Sequence, residues 1–308
     1  MNVSVVDIGT NTVLLLVARV GDDGSVTPLV YEQRIPRLGR GVDQERNLSP
    51  DAMRRVIDVL REYKKLMAPY HAAATVVCGT SAVRDASNGE ELASLIRKET
   101  GFPLEVLSGE DEALWTYRGA LSGLRGITRA TVVDIGGGST EITVGDAETV
   151  SDRISLDIGS VRLTERFFRH DPPTPSEMEA AIDLVENQIA RAGRFPFAGS
   201  TLIGVAGTAT TLAALAQGLR EFDVAGVTNY PLSQETVENL FRMLRDMTSG
   251  RILELSPVME GRADLITAGT LILREIMDHL GFDTMLVSER GVRYGLAIRG
   301  AEHLRSRP

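Results

Sequence analysis

The sequence predicts an α/β protein built from two copies of one domain, and two observations carry that prediction. The first is an internal repeat. Val5-Val6-Asp7-Ile8-Gly9-Thr10-Asn11-Thr12 returns as Val132-Val133-Asp134-Ile135-Gly136-Gly137-Gly138-Ser139-Thr140, and Cys78-Gly79-Thr80-Ser81-Ala82 returns as Ala206-Gly207-Thr208-Ala209-Thr210. The separations, 134 − 7 = 127 and 207 − 79 = 128, are almost one spacing, as a duplication requires. The second observation is the alternation of short β-rich apolar runs with helical patterns in both halves, which is expected of helices covering sheets.

In the first half, strands are expected at Val3–Val6, Val13–Val20, Thr75–Cys78 and Leu104–Leu107. Ser49-Pro50-Asp51 starts a helix running to Met67, with a hydroxyl N-cap, proline at the first helical position and an early carboxylate. Further helices are expected over Glu90–Lys98 and Glu110–Leu121. The segment Ser122–Ala130, with glycines at 123 and 126, reads as the hinge between copies. In the second half, strands are expected at Ala130–Asp134, Glu141–Val144, Leu202–Val205 and Met285–Ser288. Thr174-Pro175-Ser176-Glu177 is a capping box opening a helix to about Ala192, and Ser233–Met247 and Arg262–Leu280 read as amphipathic helices. The domains are therefore expected at 1–124 and 125–296, with about 297–308 folding back to complete the first.

Composition narrows the function classes. A chain of 308 residues suits about two domains of roughly 100–200 residues each. Its formal charge of −9 argues against a nucleic-acid binder held by backbone neutralisation, yet leaves room for an anionic substrate at a locally positive site. The four histidines lie far apart without zinc-ligand spacing, and the single cysteine, Cys78, reads as a small buried residue closing a strand. No apolar stretch is long enough to cross a bilayer, and the sequence opens on a strand-like run without a secretory n-region. A cytoplasmic protein without a membrane partner is the expectation.

The sharpest motif is Asp134-Ile135-Gly136-Gly137-Gly138-Ser139-Thr140-Glu141. Glycines let backbone N–H groups approach an anion closely, hydroxyls add donors, and Asp134 and Glu141 supply hard oxygen ligands for Mg²⁺. A Walker loop is excluded because the chain has no Gly-Lys pair. A dinucleotide fingerprint is excluded because Glu141-Ile142-Thr143-Val144 alternates like a strand where a helix is required. The alternative is a glycine-rich hairpin of no function. A second aspartate loop at Asp7, also followed by an apolar strand, favours the phosphate reading.

The arrangement resembles the actin, sugar-kinase and heat-shock ATPase superfamily, and more closely the exopolyphosphatase/guanosine pentaphosphate phosphohydrolase (Ppx/GppA) family. The resemblance spans essentially the whole chain. Beyond the two aspartate loops and Gly207-Thr208-Ala209-Thr210, it is carried by the segments 79–88, 108–113, 159–165 and 288–295. It implies two duplicated actin-like (ribonuclease H-like) domains, a cleft between them that closes on ligand, and a homodimer. It places the catalytic base at Glu112, in Ser108-Gly109-Glu110-Asp111-Glu112-Ala113. Without the family, those three acids read more simply as a favourable first helical turn. It further implies that Gly136, Gly137, Gly138 and Ser139 cradle the terminal phosphate, with Thr10 and Asn11 on the opposite wall and Arg84 clamping phosphate oxygens. Asp134 and Glu141, with Asp7 as a third, would hold Mg²⁺ or Mn²⁺. Arg162, Arg262 and Arg290 are weaker candidates for subsequent phosphates. Arg34, Arg37 and Arg40 form a basic cluster in the loop before the Ser49 helix, most simply solvated or paired.

The activity this implies is Mg²⁺-dependent release of terminal orthophosphate from inorganic polyphosphate. The alternative is a guanosine pentaphosphate 5′-phosphohydrolase or related nucleotide phosphohydrolase. Because the chain stops at Pro308, short of the helical C-terminal region of longer members, a preference for short polyphosphates is expected. A small-molecule kinase and a non-catalytic phosphate sensor remain as other classes.

Overall fold

The computed structural model describes residues 1–147 and 149–306, which form two compact units. The first comprises Met1–Gly123 together with the chain from Arg290 onward; the second is Leu124–Glu289.

The first unit is a five-stranded sheet of β1 (Asn2–Ile8), β2 (Val13–Val20), β3 (Val26–Arg34), β4 (Ala74–Gly79) and β5 (Glu105–Val106), in the order β3-β2-β1-β4-β5. The first three strands form an antiparallel meander, and β4 and β5 run parallel to β1. Its helices before the second unit are α1 (Val42–Glu45), α2 (Pro50–Met67), α3 (Ser81–Asp85), α4 (Gly89–Thr100) and α5 (Gly109–Leu121). Ser49 caps α2 as expected, accepting from the Ala52 N–H at 3.2 Å. Strand alternation sorts the core: Val6, Ile8, Val13, Leu15 and Val17 pack with residues of α2 and α4, while Val3, Val5, Leu16 and Ala18 face the other way. Asp7 shares the parity of Val3 and Val5, which sets its side chain on that second face.

Strand β3 carries no clear sequence signal. It contains Pro28, lies at the sheet edge, and pairs with β2 through a register shift at Val17/Ala18. Arg34 is the last residue of this strand rather than part of a loop, and is paired with Glu32 and Glu62.

The second unit repeats the plan with β6 (Arg129–Ile135), β7 (Thr140–Asp146), β8 (Val150–Leu156), β9 (Thr201–Val205), β10 (Pro231–Ser233) and β11 (Thr284–Val287). Its sheet order is β10-β11-β9-β6-β7-β8. Read from the meander edge, β8-β7-β6-β9-β11 reproduces β3-β2-β1-β4-β5, and β10 is an addition. The register repeats as well. Asp7 stands opposite Leu14 and Cys78, and Asp134 opposite Glu141 and Val205; 134 − 7, 141 − 14 and 205 − 78 all equal 127.

The helices here are α6 (Ser160–Phe167), α7 (Pro175–Ile189), α8 (Ala206–Ala216), α9 (Val224–Val227), α10 (Gln234–Arg245), α11 (Ser249–Leu255) and α12 (Ile266–Leu280). The capping box on α7 is present in both directions. Helix α8 escapes periodicity because it is buried around almost its whole circumference, with residues 208–214 all buried.

The last helix, α13 (Val292–Arg305), belongs to the first unit and packs on β1, β2, β4 and α5. The segment joining that unit thus starts at Arg290, and the final two residues of 297–308 lie outside the described residues. Among the described residues no helix is long and apolar enough to cross a membrane.

Candidate active site

The triple-glycine loop joins β6 to β7 and is built with its carbonyls occupied. Gly136 N–H closes the turn onto Ser139 O at 3.0 Å. The first amides of α6 then take the loop carbonyls: Ser160 N–H donates to Gly136 O at 3.0 Å, and Val161 and Arg162 N–H to Gly137 O at 2.8 and 3.0 Å. Arg162 Nε adds a bond to Gly138 O at 2.6 Å. No acceptor is bonded to the N–H of Gly137, Gly138 or Ser139 among the described residues. A loop whose carbonyls are engaged while successive N–H groups are not is suited to an anion. Gly159 permits this fit, since a Cβ there would lie 2.4 Å from Gly137 O.

The Asp7 loop has the same construction. Gly9 N–H closes onto Thr12 O at 2.9 Å, Arg37 N–H donates to Asn11 O at 3.0 Å, and Gly39 N–H to Thr10 O at 2.8 Å. A Cβ on Gly39 would meet Thr10 Cγ2 at 2.3 Å, so the chain approaches this loop closely as well. Thr10 and Asn11 are therefore held by the chain that follows β3, as residues 136–138 are by the chain that follows β8.

The two loops differ in their acids. Asp134 and Glu141 are directly opposite on antiparallel strands, so both carboxylates leave the sheet on one face. Both are buried, and Glu141 Oε1 accepts from Ser155 Oγ at 2.6 Å. Asp7 faces Leu14 at the corresponding position. Among the described residues no three His, Cys, Asp or Glu side chains gather as a metal-binding group. The donor set nevertheless fits Mg²⁺, which commonly takes one or two carboxylates and completes its shell with water and substrate phosphate. Asp134 and Glu141 could hold such an ion. Asp7 lacks a second carboxylate across its strand pair, where Leu14 stands.

The three consecutive acids at the start of α5 separate by burial. Glu110 and Asp111 are exposed, and Asp111 is engaged with the N-cap, accepting from Ser108 Oγ at 2.7 Å. Glu112 is 8% exposed. Arg84, at the C-terminal end of α3, donates from Nη1 to Glu112 Oε2 at 2.9 Å and to Leu107 O at 2.9 Å. The acidic-turn explanation therefore accounts for Glu110 and Asp111, while a buried and paired carboxylate asks for another reason.

Asp7 shares that environment. Burial first, and the Glu112 carboxylate second, push its carboxyl up to about 7, against the opposing pull of Arg293 and of the Cys78 thiol. The Cys78 thiol is itself buried and pushed well above its ordinary range, as an unreactive core residue would be. The structure thus brings Asp7, Arg84 and Glu112 into one unit, and Asp134, Glu141 and residues 136–139 into the other.

Of the weaker arginines, Arg162 braces the glycine loop through Gly138 O. Arg262 lies over Gly207, where a Cβ would be 1.6 Å from its Nη1. Arg290 packs 4.8 Å from the Tyr294 ring centroid and donates to Ser122 O at 3.2 Å. Arg293 lies inside the segment 288–295, but no sequence pattern distinguishes it from Arg299 and Arg305 of the same helix; its burial comes from tertiary packing.

Comparison with known proteins agrees with this construction. The family model described as the Ppx/GppA phosphatase family matches residues 16–303. Exopolyphosphatase 2 of Mycobacterium tuberculosis is 36% identical, over 96% of this chain and 97% of its own. The guanosine-5′-triphosphate,3′-diphosphate pyrophosphatase of Vibrio cholerae is 30% identical, over 97% of this chain and 59% of its own. The crystal structure of the Aquifex aeolicus Ppx/GppA family member superposes with a TM-score of 0.84 at 32% identity, covering 100% of this chain and 99% of that one. The repeated sheet order, the paired aspartate loops and these matches together place the chain in the Ppx/GppA phosphatase family, as a phosphohydrolase of two actin-like domains.

Proposed function

We propose that this phosphohydrolase releases terminal orthophosphate from inorganic polyphosphate, with Glu112 as the general base. The observation that carries the reading is the buried Glu112 carboxylate held on Arg84, because hydrolysis needs a fixed acceptor for the proton of the attacking water. The N–H groups of Gly137, Gly138 and Ser139 bind the oxygens of the terminal phosphate, and Thr10 and Asn11 bind phosphate from the first unit's loop. Arg84 neutralises phosphate charge as well as orienting Glu112. Mg²⁺ held by Asp134 and Glu141, with Asp7 as a further carboxylate, supplies charge neutralisation of the phosphate oxygens when bound.

A second reading, removal of the 5′-phosphate from guanosine pentaphosphate, is favoured by the similarity to the Vibrio cholerae pyrophosphatase. The scissile anhydride is alike in both, so the same residues serve. Phosphate release from polyphosphate and from guanosine pentaphosphate, measured side by side with and without Mg²⁺ and with no acceptor present, tests the reading. Faster Mg²⁺-dependent release from polyphosphate is expected. Faster release from the nucleotide would move the assignment to the second reading, and release that requires an acceptor hydroxyl would make the protein a kinase.

A further inference from the structure

In the second unit, three polar residues stand in one row across three strands. Asp134 of β6 pairs with Glu141 of β7, and Glu141 pairs in turn with Ser155 of β8. Residues directly opposite one another in a sheet project from the same face, so all three share one side. Their neighbours along the strands turn the other way. Val133, Ile135, Ile142 and Leu156 belong to the hydrophobic core of the unit, and Ile154 packs against it. Strand alternation thus leaves the row on the face opposite that core.

One contact within the row is direct. Ser155 Oγ donates to Glu141 Oε1 at 2.6 Å, the short separation of a hydroxyl bonded to a carboxylate. Glu141 is 2% exposed, whereas Ser155 is half-buried on β8, the edge strand of the sheet. Glu141 is therefore flanked across the sheet by a second acid on one side and a hydroxyl donor on the other.

The first unit has the same three-strand row without this chemistry. There Asp7 pairs with Leu14, and Leu14 pairs with Gln33. The middle carboxylate and the outer hydroxyl are both missing from that copy. Such a pattern is expected if the hydroxyl serves the acid.

We propose that Ser155 is a positioning residue for the Mg²⁺ site: its hydroxyl holds the Glu141 carboxylate in place beside Asp134 without itself touching metal or substrate. This rests on the reading of Asp134 and Glu141 as the metal ligands. A glutamate side chain has several torsions to fix, and a coordinating carboxylate that is already hydrogen-bonded loses less freedom when the ion binds.

The test is calorimetric titration of Mn²⁺ into the full chain, for wild type, Ser155→Thr, Ser155→Val, Ser155→Ala and Glu141→Gln. Ser155→Thr and Ser155→Val differ only by hydroxyl against methyl, and both side chains suit a strand. Ser155→Thr is expected to bind within about threefold of wild type. Ser155→Val and Ser155→Ala are expected to bind about tenfold to a hundredfold more weakly, as for other losses of a ligand's outer hydrogen bond. In a Glu141→Gln background, Ser155→Val should weaken binding by no more than about twofold, because the carboxylate it serves is gone. If Ser155→Ala does not fold, Ser155→Thr and Ser155→Val decide. Wild-type affinity in Ser155→Val overturns the proposal, as does an equal loss in Ser155→Thr and Ser155→Val, which would make shape the cause. Wild-type affinity in Glu141→Gln would instead overturn the ligand assignment on which the proposal rests.

Discussion

Arg84 and Glu112 form an ion pair at 2.9 Å between the end of α3 and the first turn of α5, and the same Arg84 nitrogen is anchored on the Leu107 carbonyl. A positioned carboxylate on a helix start is thereby distinguished from its solvated neighbours Glu110 and Asp111. Replacing Arg84 by Met removes both the partner of Glu112 and the phosphate contact assigned to it. It is expected to lower kcat and raise KM, with kcat/KM falling about a hundredfold. A loss in kcat alone would confine Arg84 to orienting Glu112.

Asp7 makes the stability of the metal-free protein depend on pH. The unfolded residue releases its proton near 3.8, whereas the folded one holds it to about 7. Between those values the unfolded state is the more deprotonated, so the contribution of Asp7 is fully present below about pH 4 and is lost as pH rises through 7. Asp7→Asn lacks this dependence. Denaturant unfolding without divalent cations should show wild type losing up to roughly 4 kcal/mol relative to Asp7→Asn between pH 4 and 8, at about 1.4 kcal/mol for each pH unit of the window. A constant difference across that range would contradict the assignment.

The glycine loop depends on the contact with Gly159. Gly159→Ala forces a Cβ to within 2.4 Å of Gly137 O, and backbone on both sides must move. A stability cost of about 1–3 kcal/mol is expected from overpacking, together with a loss of vanadate affinity of at least about tenfold. Calorimetry on the folded variant checks the second effect directly.

Asp134 and Glu141 should dominate metal binding. In calorimetric titrations with Mn²⁺, Asp134→Asn and Glu141→Gln are each expected to weaken binding at least about tenfold. Asp7→Asn should have a smaller effect, because Leu14 stands where the second unit has Glu141. An equal loss in all three would make Asp7 a full ligand.

Much of this was legible in the chain because the informative residues are local in sequence. The repeat of Asp7 at Asp134 foretold the shared register, and Ser49 and Thr174 marked two helix starts that the structure reproduces. Other features depend on residues far apart. Strand β3 hides behind Pro28 and a bulge, and α8 lacks an amphipathic face because it is buried nearly all round. The burial that separates Glu112 from Glu110 and Asp111 comes from tertiary packing, and residue type alone does not show it. Arg293 meets Tyr31 across 262 positions, a distance no motif spans.

The central claim is that Glu112 takes the proton of the attacking water. The most direct test is a single-turnover experiment with Glu112→Gln, in which polyphosphate binding and phosphate release are followed on the same sample with Mg²⁺. Binding within about threefold of wild type, with release slowed about 10²- to 10⁴-fold, is the predicted result. Release at the wild-type rate would contradict it.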